Sequence, residues 1–255
     1  MDKMISSYWL SFVLSIIVAF HSQIRITESS FANDTGIGVC YGMMGDSLPS
    51  LDDVVSLYKK KNGINSTRLF NPNPSALQAL IGSQIHVSLG VSNQDIPSIA
   101  LSQDAAKSWF ATNLEPYLND IVFSYITVGN EAIPGDYASY IASAMQNLQN
   151  ILNAGNLAST TKVTTVVSTG VLATSYPPSS SAFSLEARDN LIKILGFLSA
   201  QGSPLMVNVY PYFAFAAEPA NVRLDYAQFT AKGPVVLDGN LRYQNMFDAI
   251  VDACY

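Results

Sequence analysis

The chain has 255 residues, of which 49% are hydrophobic and 13% are charged, and its formal net charge is −6. That length is enough for one large domain with a sizeable core, and so low a charged fraction is common among secreted proteins. The negative charge, and the lack of any basic run longer than the lysines at 59–61, argue against a nucleic-acid partner.

The N-terminus has the pattern of a secretory signal peptide. Lys3 precedes an apolar run from Tyr8 to Phe20, and a small-x-small motif follows that ends at Ala32. A membrane anchor is the alternative, but the run is shorter than the about 20 residues that a spanning helix needs. The pattern predicts a signal peptide over residues 1–32 and a secreted mature chain over residues 33–255, extracellular or in the cell wall, with the vacuole as the alternative. We expect this mature chain to be a monomer without a membrane partner.

Two short motifs match the acceptor pattern for N-glycosylation, at Asn33 and at Asn65. Both fit a secreted protein and are predicted as glycosylation sites. Asn65 lies next to a predicted strand, where packing can exclude a glycan.

The cysteines and histidines limit the chemistry that the mature chain can perform. Cys40 lies in the first predicted strand and Cys254 in the last predicted helix, positions that seldom bring two Cβ atoms within disulfide range, so we expect free thiols. His86 is the single histidine after residue 32, which argues against a Ser-His-Asp triad and a multi-histidine zinc site. We expect His86 to be a hydrogen-bonded residue of the core or of a cleft.

Strand-like and helix-like patterns alternate along the chain with short connections, which is typical of a parallel α/β fold. The sequence predicts strands over residues 36–41, 66–70, 85–89, 121–129, 162–168 and 205–210. It predicts helices over residues 50–61, from about 75, from 102, and over 137–152, 184–200 and 243–255. Ser50 and Asp53 have the spacing of a capping box, and Ser102 is the expected cap of the third helix.

Two parallel architectures fit this alternation. A doubly wound sheet usually carries a glycine-rich phosphate loop after its first strand, but the segment 42–46 has two glycines without the G-x-G-x-x-G pattern. We therefore predict an α/β fold of the (β/α)8 TIM-barrel type, of which the sequence contains about six of the eight β/α units.

Glu131 is the main candidate for catalysis, because it directly follows the apolar strand predicted over 121–129. Barrel enzymes place their catalytic side chains at the carboxyl ends of the strands, and hydrolysis of a glycosidic bond needs carboxyl groups there. The alternative is a glutamate that caps a helix or lies in a loop.

Polar and aromatic side chains occur at the same ends of the other predicted strands. Aromatic faces stack on sugar rings, while amides and phenols hydrogen-bond sugar hydroxyls, although ordinary core packing also explains part of the aromatic residues. The candidates for substrate binding are Tyr41, Phe70, Asn130, Asn208, Tyr210, Tyr212 and Phe213.

Six segments carry motifs of one known family. They are Gly-Ile-Gly-Val-Cys-Tyr-Gly at 36–42, Arg-Leu-Phe-Asn-Pro-Asn at 68–73, Val-Gly-Asn-Glu at 128–131, Thr-Ser-Tyr-Pro-Pro at 174–178, Val-Asn-Val-Tyr-Pro-Tyr-Phe at 207–213 and Phe-Asp-Ala-Ile-Val-Asp-Ala at 247–253. In order and spacing the chain resembles the plant glucan endo-1,3-beta-glucosidases, glycoside hydrolase family 17. The resemblance implies a (β/α)8 barrel and retaining cleavage of β-1,3-glucan without a metal or a cofactor. It implies that Glu131 is the acid/base, that Asn130 contacts the sugar, and that Asn208 and Tyr210 line the cleft.

The chain departs from the family pattern in two places. Phe70 and Asn71 stand where the family usually has a tyrosine and an aspartate. The family nucleophile belongs to a Ser-Glu-Ser-Gly-Trp-Pro motif on the seventh strand, and that motif does not occur in the sequence. We therefore expect a barrel truncated before the seventh strand, in which the loop acids Asp46 and Glu218 are poor substitutes. A non-catalytic paralogue or a glucan-binding protein without the nucleophile is the alternative to a glucanase.

Overall fold

A sheet of six parallel strands forms the centre of the chain in this computed structural model, which describes residues 38–61 and 64–255. The strands in chain order are β1 (Gly38–Tyr41), β2 (Ser66–Leu69), β3 (His86–Val91), β4 (Phe123–Asn130), β5 (Lys162–Ser168), β6 (Leu172–Thr174), β7 (Ala182–Phe183), β8 (Met206–Asn208), β9 (Val236–Asp238) and β10 (Leu241–Tyr243). The sheet contains β1 to β5 and β8, while β6 with β7 and β9 with β10 form antiparallel pairs. The predicted signal peptide and the acceptor Asn33 lie outside the described residues.

Helices connect these strands. They are α1 (Leu51–Lys61), α2 (Pro74–Leu80), α3 (Ile96–Leu101), α4 (Gln103–Asn113), α5 (Ala138–Ala154), α6 (Leu185–Gln201), α7 (Pro211–Ala217), α8 (Leu224–Ala227) and α9 (Met246–Ala253). Single turns of 3-10 helix lie at Asn93–Asp95, Glu115–Tyr117, Thr169–Val171 and Pro178–Ser180. The predicted caps are confirmed, because the Asp53 amide donates to the Ser50 hydroxyl at 3.2 Å and the Ala105 amide donates to the Ser102 hydroxyl at 3.2 Å.

The strand order decides between the two architectures. The sheet runs β1-β2-β3-β4-β5-β8 with every pair parallel, so each strand lies beside the next one along the chain. A doubly wound sheet reverses its order part-way, whereas sequential right-handed crossovers place all the helices on one face, as in a barrel. The barrel-type prediction is confirmed for the described residues, and β1 and β8 are the edge strands of the sheet.

The hydrophobic core lies between the sheet and the helices. Leu69, Leu89 and Ile126 from the strands are fully buried together with Ile141 and Leu148 from α5, and all belong to one cluster. A smaller cluster near the C-terminus joins buried residues of α8, β10 and α9. Because the core fills the space between the sheet and the helices, it does not cover the carboxyl ends of the strands. Polar side chains can therefore lie there.

The structure corrects the prediction at the C-terminal end. The helix predicted over 243–255 begins only at Met246, because the Asn245 side chain accepts the Asp248 amide at 2.9 Å and caps it there. Tyr243 belongs instead to β10, which pairs with β9 in a segment without a predicted strand. The short helix α3 was likewise not predicted from the sequence.

The predictions for the two cysteines and for His86 agree with the structure. Cys40 and Cys254 are both free thiols. The His86 ring nitrogen Nδ1 lies 3.1 Å from the Ser124 hydroxyl oxygen, so His86 is a hydrogen-bonded residue that is half-buried. No helix in the described part of the chain has both the length and the apolar character needed to cross a membrane.

Candidate active site

Glu131 stands on a sharp turn at the carboxyl end of β4. Gly129 has a φ of 84° and Glu131 has a φ of 52°, so the backbone enters the left-handed region twice around Asn130. The pairing of β4 with β5 is irregular over the same residues, and the Glu131 amide donates to the Val166 carbonyl at 2.8 Å. This turn ends the strand and leaves the Glu131 side chain exposed at the open edge of the sheet.

Two donors from β8 and the start of α7 bind the Glu131 carboxylate. The Tyr210 hydroxyl donates to Oε1 at 2.8 Å, and the Asn208 side-chain amide donates to the same oxygen at 2.5 Å. The structure therefore brings Glu131 together with Asn208 and Tyr210. The sequence placed Glu131 at the end of one predicted strand and the other two residues at the end of another. Hydrogen bonds from these two neutral donors hold the carboxylate in one orientation, and both of them use Oε1 rather than Oε2.

Arg68 of β2 connects the amides of this site and was not among the residues predicted from the sequence. Its guanidinium donates to Asn130 Oδ1 at 2.7 Å and to Asn208 Oδ1 at 3.2 Å. Asn208 in turn donates to Asn130 Oδ1 at 3.1 Å. Because both amide oxygens face the cation, the Asn208 NH₂ group is turned toward Glu131. The sequence did carry a signal for this residue, because Arg68 is a charged residue inside a predicted strand whose other residues are small or apolar.

Burial shapes the ionisation of the two groups next to Glu131. Burial lowers the pKa of Arg68 below its ordinary value, and the interaction with the Cys40 side chain and, less strongly, with Tyr210 and Glu131 partly opposes that effect. The pKa of Tyr210 is raised, first by burial and then by its hydrogen bond to the Glu131 carboxylate. Tyr210 therefore stays a protonated donor over the whole neutral range.

Aromatic rings line the surface next to the carboxylate. Phe213 lies 5.3 Å from Tyr210 and 5.5 Å from Tyr212, measured between ring centroids, and all three rings are exposed. Phe70 lies next to Arg68, whose guanidinium is 4.5 Å from the centroid of the Phe70 ring. Exposed aromatic faces grouped in this way suit the apolar faces of sugar rings.

Close approach of the backbone fixes the place of Phe70. A Cβ atom on Gly90 of β3 would lie 2.0 Å from the Phe70 carbonyl oxygen, so glycine is required there. Tyr41 lies elsewhere, since its ring packs edge-to-face against Tyr58 of α1 at 6.3 Å. The structure does not bring Tyr41 to Glu131, and its role in a cleft stays a prediction.

Three other predicted positions are also placed by the structure. Asn65 immediately precedes β2, and its side-chain oxygen is buried, so its glycosylation stays a prediction. The loop acids Asp46 and Glu218 are exposed. Within residues 38–61 and 64–255, no group of three or more His, Cys, Asp or Glu side chains is arranged to hold a metal ion.

The sequence profile of the glycosyl hydrolases family 17 matches residues 37–255, which include every element described above. The chain belongs to glycosyl hydrolase family 17. A glucan endo-1,3-beta-glucosidase of Vitis vinifera is 43% identical over 248 residues, a match that covers 96% of this chain and 71% of that protein. The basic isoform of the enzyme from Phaseolus vulgaris is 42% identical, and the match covers 86% of this chain and 64% of that protein.

Solved structures show the same likeness. CJP38, a beta-1,3-glucanase and allergen of Cryptomeria japonica pollen, is 43% identical with a TM-score of 0.81, covering 86% of this chain and 69% of that chain. A plant beta-glucan endohydrolase is also 43% identical with a TM-score of 0.81, covering 86% of this chain and 70% of that chain. The six-stranded parallel sheet of this family 17 chain therefore corresponds to part of the TIM barrel of these neighbours.

Proposed function

We propose that the site around Glu131 hydrolyses β-1,3-glucan, with Glu131 as the general acid and base. The observation that carries the proposal is a carboxylate at the carboxyl end of a barrel strand, oriented by Asn208 and Tyr210 at 2.5 and 2.8 Å. The names of the relatives supply the linkage, because the proteins from Vitis vinifera and Phaseolus vulgaris are both called glucan endo-1,3-beta-glucosidases.

The carboxyl group can serve both halves of such a reaction. In the first half its proton passes to the glycosidic oxygen of the leaving sugar, and in the second half the carboxylate takes a proton from the attacking water. Tyr210 and Asn208 bind Oε1, so Oε2 is the oxygen that carries the proton toward the substrate. The exposed position of Glu131 gives a polymer access to that oxygen.

The neighbouring side chains can hold the sugar. Asn130 adjoins Glu131 in the chain, and its side-chain oxygen already accepts from Arg68, which leaves its NH₂ group for a sugar hydroxyl. The rings of Tyr210, Tyr212 and Phe213 offer apolar faces beside the carboxylate. Phe70 offers another face but no hydroxyl, so it can stack on a sugar but cannot hydrogen-bond it.

Retaining hydrolysis also needs a second carboxylate about 5–5.5 Å from the first, to form the glycosyl-enzyme intermediate. In the described part of the chain, the groups that hydrogen-bond the Glu131 carboxylate are an amide and a phenol. We therefore assign to these residues the acid/base half of the site. The matched relatives extend beyond the region that this chain covers, which is about two thirds of their length.

The remaining properties follow from composition and from the family. We propose that the protein is secreted and acts on its polysaccharide as a monomer, without a nucleic-acid or membrane partner. A vacuolar location is the alternative. A relative from Nicotiana tabacum is named a basic vacuolar isoform.

Release of reducing sugar from a soluble β-1,3-glucan tests the proposal, with a β-1,4-glucan as the control substrate. Glu131→Gln keeps the size of the side chain and removes its proton, so turnover on β-1,3-glucan should fall by about 10²- to 10⁴-fold. Glu115→Gln is the matched control, because Glu115 is an exposed glutamate on a turn of 3-10 helix away from the sheet edge, and its activity should not change.

Measurable turnover of β-1,3-glucan that is equal for Glu131→Gln and the unaltered chain would contradict the acid/base assignment. Binding of β-1,3-glucan without any turnover would instead favour the alternative, a glucan-binding protein.

A further inference from the structure

We propose that Asn93 is a positioning residue for Glu131, an inference that rests on the acid/base role proposed above. Asn93 begins the 3-10 turn after β3, and its side chain reaches across to the end of β4. It acts on the main chain of Asn130, the residue immediately before Glu131. Asn93 is not part of the family motifs quoted from the sequence, and no role was predicted for it.

The Asn93 side chain forms two hydrogen bonds to a single residue. Its Nδ2 donates to the Asn130 carbonyl at 3.1 Å, and the Asn130 amide donates to Asn93 Oδ1 at 2.9 Å. An amide side chain carries one acceptor and donors in the same arrangement as a peptide unit. Regular pairing between β3 and β4 ends at Val91 and Val128. Asn93 therefore continues the ladder by one step, where the backbone of β3 has already turned away.

The backbone that Asn93 holds is an unfavourable one. Gly129 lies at a φ of 84° and Glu131 at a φ of 52°, a region that residues with a side chain rarely adopt because it is strained for them. On the β5 side, the Glu131 amide donates to Val166, and the Thr165 hydroxyl donates to the Val128 carbonyl at 2.7 Å. On the β3 side, Asn93 provides the corresponding restraint.

Packing leaves this turn little room to relax. A Cβ atom on Gly129 would lie 3.1 Å from Ile96 Cδ1 and 3.6 Å from Asn93 Oδ1, so both side chains lie directly over the turn. Rotation of the Asn130–Glu131 segment would move the carboxylate away from Tyr210 and Asn208. A displacement of about 1 Å in a catalytic group can reduce the rate by about 100-fold.

Amide hydrogen exchange in the full chain tests the restraint itself, and it does not depend on activity. Asn93→Ala removes both bonds, so the Asn130 amide should exchange at least about tenfold faster, as expected when a protecting hydrogen bond is lost. Asn147→Ala is the matched control. The Asn147 side chain donates to the Ile99 and Ala100 carbonyls at 2.8 and 3.1 Å, away from Glu131. That variant should leave the exchange of Asn130 unchanged.

Steady-state kinetics on β-1,3-glucan test the consequence for Glu131. Asn93→Ala should lower kcat by about 10- to 100-fold, with KM changed less than about twofold, since the sugar-binding rings remain in place. Asn147→Ala should keep kcat while its Tm falls by a similar amount. That comparison separates a positioning role from a general loss of stability.

Asn93→Asp adds a readout that a merely structural role would not move. When it is ionised, the aspartate side chain of this variant still accepts a hydrogen bond from the Asn130 amide, but it has no proton to donate to the Asn130 carbonyl. When it is protonated, its hydroxyl can donate to that carbonyl and replaces the lost Nδ2 donor. The ratio of its kcat to that of the unaltered chain should rise as the pH falls from about 6.5 toward the ordinary range of an aspartate, about 4. The same ratio for Asn93→Ala should stay constant with pH.

The outcomes distinguish the two proposals. If the unaltered chain releases no sugar, the proposal that this chain hydrolyses the glucan by itself fails, and the exchange of the Asn130 amide still decides the role of Asn93. Unchanged exchange in Asn93→Ala, or a loss of kcat no larger than in Asn147→Ala, would overturn the positioning role.

Discussion

Replacing Arg68 tests whether the amides around Glu131 depend on a cation. Arg68→Met keeps most of the side-chain volume and removes both donors, those to Asn130 at 2.7 Å and to Asn208 at 3.2 Å. A hydrogen bond to a charged group contributes about 1.5–3 kcal/mol. Asn130 Oδ1 still accepts from Asn208, so the loss falls mainly on Asn208 Oδ1. We therefore estimate about 2 kcal/mol of lost orientation, which corresponds to about a 30-fold fall in kcat/KM.

The assay is kcat/KM on a soluble β-1,3-glucan, measured with the Tm of each variant. Arg68→Lys replaces a guanidinium that reaches two oxygens with a single ammonium. Its kcat/KM should therefore lie between that of Arg68→Met and that of the unaltered chain. Arg188→Met is the matched control, because Arg188 is an exposed arginine on α6. An Arg68→Met variant within twofold of the unaltered chain would refute the idea that the cation orients Asn208.

The remaining predictions concern stability. Gly90→Ala should lower the free energy of unfolding by about 3 kcal/mol or more, because its Cβ would lie 2.0 Å from the Phe70 carbonyl. Gly196→Ala in α6, with no atom within 4 Å of its new Cβ, should stabilise by about 0.5–1 kcal/mol in the same urea titration; equal effects would contradict the steric reasoning. Burial raises the pKa of Tyr226 to about 12 from 10.0, so the stability due to its neutral phenol is complete below pH 10 and is lost as the pH rises through about 12. Tyr226→Phe should make the fall in unfolding free energy between pH 10 and about 12 shallower. Part of the fall should remain, because the pKa of Tyr243 is also raised to about 12. An unchanged fall in the variant would contradict the role given to Tyr226.

Much of the fold could be predicted because its signals are local. The strand Lys162–Ser168 has the predicted bounds, and Ser50 and Ser102 cap the helices that follow them. The pair β9 and β10 was not predicted, because these strands of three residues give no periodic pattern and depend on packing against α9. Helix α3 was missed for a similar reason, since six mostly apolar residues with a proline show no helical period.

The candidate site was predicted only where the strand ends reveal it. Glu131 directly follows one predicted strand, and Asn208 and Tyr210 lie in the last residues of another, so the parallel strands bring them together. Arg68 and Asn93 act through side chains that cross to residues between 37 and 140 positions away in the chain. No spacing rule reports contacts of that kind, so these two residues emerge only from the three-dimensional arrangement. Tyr41 at the end of β1 packs against Tyr58 of α1, and its role in a cleft stays a prediction.

The dependence of Glu131→Gln on the leaving group tests the central claim most directly. A general acid is needed when the departing sugar is a poor leaving group, and is hardly needed when a dinitrophenolate departs. The measurement compares Glu131→Gln with the unaltered chain on two substrates, a β-1,3-glucan and a dinitrophenyl glycoside of a β-1,3-linked glucose disaccharide. We predict a loss of about 10²-fold or more in kcat/KM on the glucan, with a much smaller loss on the dinitrophenyl glycoside. An equal loss on both substrates would contradict the account, because Glu131 would then act in some way other than by protonating the leaving oxygen.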